Sequence, residues 1–114
     1  MHRTDNSGTE EQANLFSVLA DPTRLKLLRL LAQQQEQHAL CVNALAHHLG
    51  VTQSAVSQHL RVLKSGGFVK GERRGYHIHY FINQEGVKQA LKQILQVLSF
   101  DEHIAQKAPE VILE

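Results

Sequence analysis

The chain has 114 residues, a formal net charge of +1, 42% hydrophobic and 20% charged residues, and only 5% aromatic residues with no Trp. That is enough for one domain with a core of Leu, Val, Ile and Ala, and small enough that a second subunit could add useful burial. No apolar run approaches the ~20 residues needed to cross a bilayer, no hydrophobic segment follows the N-terminal charge, and the single Cys41 excludes an intrachain disulfide; a cytoplasmic protein with no membrane partner is expected.

Residues 1–9 are polar and include Gly8, which predicts a disordered arm ahead of a folded domain at 10–100, with a tail at 101–114. From Glu10 the pattern is helical, with Leu15, Val18 and Leu19 on one side and Phe16 and Ala20 close by, as far as Asp21-Pro22. Asp before Pro starts a new helix, because Asp caps free N–H groups and Pro is tolerated in the first turn. This second helix, Pro22 to about Gln35, sets Leu25, Leu28, Leu31 and Ala32 in an inward stripe. Gln33–Gln37 reads as a frayed helix end and loop.

Two short helices joined by a tight turn come next. Val42, Leu45, Ala46 and Leu49 recur at helical spacing within Cys41–Leu49, and Gly50 ends that segment. Thr52 caps the following helix, which closes at Gly66-Gly67. Its Val56, Leu60 and Leu63 fall at i, i+4 and i+7 on one face, while Gln53, Ser54, Ser57, Gln58, Arg61 and Lys64 cluster on the other. The pair is a helix-turn-helix, whose second helix is the one offered to a DNA major groove. Short hydrogen-bonding side chains near the N-terminal end suit base edges, and the cations behind them suit phosphates. A merely solvated amphipathic helix displays a polar face too, so the flanking segments decide between the two.

After Gly67 the period becomes alternating. Phe68–Lys70 predicts a short strand and Gly71–Gly75 a charged turn; Tyr76, Ile78, Tyr80 and Ile82 then alternate with His77, His79, Phe81 and Asn83 on a second strand. Such a hairpin is a wing, and Arg73 and Arg74 at its tip are placed for phosphates or a minor groove. Between Thr52 and Tyr76 five cations face the single anion Glu72, a local balance of +4 on a remainder of −3. The expected contacts to double-stranded DNA are Thr52, Gln53, Ser54, Ser57, Gln58, His59, Arg61, Lys64, Arg73 and Arg74.

The last helix, Glu85 to about Phe100, carries Val87, Ala90, Leu91, Ile94, Leu95, Val97 and Leu98, a wider apolar surface than one core-facing stripe requires. Either two subunits pair through their terminal helices, or this helix is deeply buried in its own subunit. The expected fold class is mainly α with a small β-hairpin: a winged helix-turn-helix of four helices, two strands and a fifth helix.

Several segments together carry a resemblance: Asp21-Pro-Thr-Arg-Leu through Leu31, Leu40-Cys-Val-Asn-Ala-Leu-Ala46, Thr52 through Val69, Arg73-Arg-Gly-Tyr76, and Tyr80. In register and in order over residues 13–98, the chain resembles the ArsR/SmtB family of bacterial winged-helix repressors. The resemblance implies a homodimeric repressor that binds an imperfect inverted repeat and leaves it when an inducer, often a metal ion, is sensed.

The family's two best-known metal sites are incomplete in this sequence. The arsenic- and cadmium-type Cys-Val-Cys reads Cys41-Val42-Asn43, and an amide is a poor substitute for thiolate toward soft metals. The zinc-type site needs Asp-x-His and His-x-x-His or His-x-x-Glu on the last helix, but no His lies between Asn83 and Phe100. A tail site from Asp101, Glu102 and His103 has the carboxylate-plus-imidazole chemistry of harder divalent ions, though such a tripeptide is also ordinary solvated sequence. His77 and His79, two apart on a strand, face metal, DNA or water, with water favoured. His47 and His48 cannot face together on a helix, and His38 lies three residues before Cys41. Cys41 reads either as a redox sensor without an intrachain resolving thiol or as a small apolar residue at a helix start. No cofactor is assigned, and the inducer is left among a metal ion, a redox signal and a small molecule.

Other function classes make different demands. A winged-helix protein-interaction module would bind DNA without sequence preference. An enzyme would need a nucleophile, a base and an orienting group, which no spacing here supplies, and there is no glycine-rich phosphate loop.

Overall fold

The structure is a computed structural model and describes residues 2–99. The elements run α1 (His2–Leu19), α2 (Pro22–Gln33), a 3-10 turn at Glu36–His38, α3 (Val42–Leu49), α4 (Gln53–Ser65), β1 (Val69–Arg74), β2 (His77–Ile82) and α5 (Gln84–Leu98). This is the winged helix-turn-helix order expected from the sequence. Among the described residues no helix is long and apolar enough to cross a membrane.

Local chemistry sets the boundaries that matter. Asp21 caps α2, its Oδ2 accepting from the Arg24 N–H at 3.0 Å, with Pro22 opening the helix. Thr52 caps α4 through Oγ1, which accepts from the Ala55 N–H at 3.0 Å. At the far end of α4 the Gly67 N–H reaches the Lys64 carbonyl at 3.0 Å and the Phe68 N–H reaches that of Leu63 at 2.9 Å, with Gly67 left-handed at φ 85°. This pair of bonds is a Schellman closure, and it needs a residue without a Cβ at Gly67. It also turns buried Phe68 back under the helix.

The core is Val18 of α1, Leu27 and Leu31 of α2, Leu45 and Ala46 of α3, Val56, Leu60 and Leu63 of α4, Phe68 and Val69 at the start of the hairpin, and Ala90 of α5. The three α4 residues are all 0% exposed, so the expected inner face is the most deeply buried stripe among the described residues. Burial of three such side chains contributes on the order of 1.5–3 kcal/mol each. It locks the rotation of α4, and thereby fixes which residues face outward.

Four expectations are corrected. The helix expected from Glu10 begins at His2, so the segment expected as a disordered arm is helical from residue 2. No Pro interrupts it, Gly8 alone costs only about 1 kcal/mol, and the C-terminal half is anchored by Leu15, Val18 and Leu19. In α2 the buried pair is Leu27 and Leu31, whereas Leu25 is 42% exposed and Ala32 is exposed. Leucine fills five of the seven positions 25–31, so more than one stripe fits the pattern. The first hairpin strand runs further than expected, over Val69–Arg74, while the second is shorter, His77–Ile82, so the ladder ends at the pair Arg74↔His77 and leaves Gly75-Tyr76 as a two-residue turn. Gly75 takes φ 67°, as the first residue of such a tight turn requires. The Gln run is not simply a loop: Gln34 Nε2 donates to the Tyr80 carbonyl at 2.7 Å and its Oε1 accepts from the Leu40 N–H at 2.9 Å, tying the end of α2 to β2.

The last helix resolves an alternative. Only Ala90 of α5 is buried, while Leu91, Leu95 and Leu98 are 53%, 64% and 64% exposed. The apolar face of α5 is therefore not covered by its own described chain. Asn83 caps this helix by accepting from the Gly86 N–H at 3.2 Å, and Gly86 lies so close to the Gly67 carbonyl that no Cβ fits there.

Candidate nucleic-acid interface

The outer face of α4 presents Gln53, Ser54, Gln58, Arg61 and Lys64 to solvent, with Ser57 half-buried among them. Thr52 is exposed beside this face, but its Oγ1 is already engaged as the cap of α4, leaving its hydroxyl hydrogen to donate. The face thus carries amides and hydroxyls on the first two turns and cations on the last two, as the sequence spacing requires.

His59 is the exception among the expected contacts. It lies three residues after Val56 and four before Leu63, and the structure turns it to the buried side toward α2. Its Nδ1 is 3.2 Å from Arg24 Nη1 and 3.8 Å from Asp21 Oδ2. Arg24 continues the junction, donating from Nε to the Val18 carbonyl at 2.6 Å and from Nη2 to the Ser17 carbonyl at 3.3 Å. One guanidinium therefore ties the C-terminal turn of α1, whose carbonyls lack helical partners, to the recognition helix. The Arg24 backbone N–H, helped by the charges of His59 and Arg24 and opposed by burial, holds the Asp21 carboxyl below its usual range. The i, i+4 relation to Leu63 was the signal that assigns His59 to this junction.

The wing separates its two arginines. Arg74 is held along the hairpin, with Nη2 2.9 Å and Nε 3.0 Å from Glu72 Oε1 and its guanidinium 4.6 Å from the Phe81 ring centre. Arg73, one residue earlier and hence on the opposite face, is exposed. At the tip Tyr76 is 97% exposed, an aromatic that the fold itself leaves unpacked and that lies in the turn and not on the second strand as expected.

A third surface adjoins the wing on the side away from α4's outer face, sharing Glu72 and Phe81 with the Arg74 contacts. An open cleft of about 660 Å³ runs between α2, the hairpin and α5, lined by Leu28, Leu31, Phe81, Val87, Leu91 and Ile94. It is continuous with the exposed leucines of α5 through Leu91.

The sensor candidates divide sharply. Cys41 is half-buried and precedes α3 without its side chain capping the helix; its backbone forms an isolated antiparallel bridge with His79. The His79 Nδ1 is buried with no hydrogen-bond partner among the described residues. No group of three His, Cys, Asp or Glu side chains converges to hold a metal among the described residues. Asp101, Glu102 and His103 lie outside the described residues.

Comparison with known proteins bears on what this surface does. Residues 21–70, from the cap of α2 into β1, match the profile of the family described as bacterial regulatory protein, arsR family. An HTH-type transcriptional regulator of Methanocaldococcus jannaschii is 36% identical over 85 residues, covering 75% of this chain and 92% of that one. A transcriptional repressor SmtB homolog of Synechocystis is 39% identical over 85 residues, 75% of this chain and 61% of its own length. The solution structure of a homodimeric winged helix-turn-helix DNA-binding domain from Mycobacterium bovis superposes with a TM-score of 0.61 at 30% identity, covering 83% of this chain and 86% of that one. With its capped recognition helix, basic wing and these relatives, the chain belongs to the ArsR/SmtB family of winged helix-turn-helix transcriptional regulators, DNA-binding proteins and not enzymes.

Proposed function

We propose that two copies of this chain, paired through α1 and α5, form a repressor that binds an inverted-repeat operator, with one α4 in the major groove of each half-site. The observation that carries the reading is α4: three fully buried residues fix its rotation, and the face left outside holds Gln53, Ser54, Gln58, Arg61 and Lys64. The amides and hydroxyls serve base edges; Arg61, Lys64, Arg73 and Arg74 serve phosphates or the minor groove. Pairing is supported by the uncovered leucines of α5 and by the homodimeric Mycobacterium bovis domain. A two-fold dimer presents its helices to half-sites about 34–36 Å apart, which is why the operator should be an inverted repeat.

The duplex recognised can be found by selection from a randomised pool and then tested by fluorescence anisotropy at moderate salt. Two chains per duplex and clear preference over random DNA are expected. Binding of equal strength to every duplex would contradict the proposal and favour a protein-interaction module.

Release by an inducer completes the cycle, the inducer being a metal ion, a redox signal or a small molecule. Cys41, placed between α3 and β2, and the tail residues Asp101, Glu102 and His103 are the candidate sensors. Release screened with metals, oxidants and metabolites should change in Cys41→Ser or His103→Ala; unchanged release in both would remove both candidates.

A further inference from the structure

Asn43 stands where the arsenic- and cadmium-type pattern has its second thiolate, and no metal chemistry accounts for it. It sits in the first turn of α3, and its exposed side chain reaches across the turn between helices. Its Oδ1 accepts from Gln53 Nε2 at 2.8 Å, joining the first turn of α3 to the first residue of α4. We propose that Asn43 is a positioning residue that holds the Gln53 amide in the orientation for reading an adenine in the major groove, an inference that rests on the DNA-reading face proposed above.

The hydrogen-bonding capacity of the amide supports this. A glutamine amide has two N–H donors and one carbonyl oxygen. One N–H is committed to Asn43, and the Oε1 and the second N–H make no hydrogen bond to the described residues. With the N–H anti to Oε1 given to Asn43, the acceptor and the syn N–H are left side by side on one planar group. Adenine offers the complement in the major groove, an N6–H donor beside the N7 acceptor, whereas guanine offers two acceptors and would face Oε1 with one of them. Tethering also removes the freedom of a long, exposed side chain before DNA arrives, so less ordering is left to occur on binding. An exposed bond of this kind adds little to the stability of the fold, so its effect should appear in base discrimination and not in folding.

The test compares single-base-pair variants of the selected operator by competition anisotropy at fixed salt. Gln53→Ala should flatten discrimination at one symmetry-related pair of positions. Asn43→Ala should reduce discrimination at those same positions by about threefold to tenfold, the scale of ordering one side chain. Its discrimination elsewhere and its thermal midpoint should stay unchanged. Asn43→Asp keeps the accepting oxygen and should keep that discrimination while binding every duplex more weakly through its added negative charge. The inference is overturned if Asn43→Ala discriminates as well as the wild type, if it weakens all sequences equally, or if Gln53→Ala flattens nothing. A wild-type protein that enriches no sequence from the pool overturns the DNA-reading proposal itself, and does so before any variant is made.

Discussion

Helices α4 and α5 have similar lengths, 13 and 15 residues, and opposite surfaces. In α4 Val56, Leu60 and Leu63 are wholly inside and the exposed face is polar apart from Val62; in α5 one alanine is inside and four of the five large apolar residues from Leu91 to Leu98 are exposed. A polar, cationic face can meet a hydrated polyanion without losing anything to water, because its amides and hydroxyls exchange one hydrogen-bond partner for another. An apolar face of three exposed leucines has no such use and is stabilised by covering it with another apolar surface. On the proposed reading one helix meets DNA and the other meets protein, and each should fail in its own assay.

The largest expected effect is on the protein-facing side. Leu95→Glu puts a charge into the face that two subunits would share; sedimentation should show monomers, and operator affinity should fall by about 10²- to 10⁴-fold as the second half-site contact ceases to be intramolecular. Circular dichroism should be unchanged, since Leu95 is outside the core of its own chain. An undiminished dimer would break the contrast between the helices.

Beneath the DNA-facing side, Leu60→Ala should lower stability by about 2–5 kcal/mol in denaturant unfolding, because residue 60 is fully buried and its neighbours belong to several elements. On the wing, Arg73→Ala should weaken binding to all duplexes and reduce the slope of log affinity against log salt by about 1. Arg74→Ala should change that slope less, since the Arg74 guanidinium already faces Glu72. The smallest effect is a pH dependence at the junction of α1, α2 and α4. The folded-state pKa of Asp21 is lowered from 3.8, so the ionised carboxyl adds stability above that value and the contribution fades as pH falls through the lowered pKa. Asp21→Asn can still cap α2 but should lack this acid limb, so its stability deficit should be present at neutral pH and close on acidification.

What could be read in advance was what depends on near neighbours. The caps at Asp21 and Thr52, the α4 stripe at Val56, Leu60 and Leu63, and the closure at Gly66-Gly67 are each encoded within a few residues, and each is found as expected. The stripe of α2 was not legible because leucines at 25, 27, 28, 30 and 31 satisfy several rotations, and only the packing of α3 and α4 selects one. The hairpin was underestimated because a two-stranded ribbon with solvent on both sides needs no apolar alternation over Gly71–Arg74. Residues that act across long separations were missed altogether: Gln34 reaches Tyr80, 46 positions away, and Asn43 reaches Gln53, 10 away, through bonds that leave no periodic trace. His59 is the instructive middle case, since its spacing from Leu63 pointed inward while its chemistry suggested DNA.

The central claim is that α4 and the wing meet DNA while α5 does not. An amide ¹H–¹⁵N titration of the protein with its selected operator tests it most directly. The account predicts the largest shift changes at Gln53–Arg61 and Arg73–Tyr76, with Leu91–Leu98 unmoved; dominant changes along α5 with a silent α4 would contradict it.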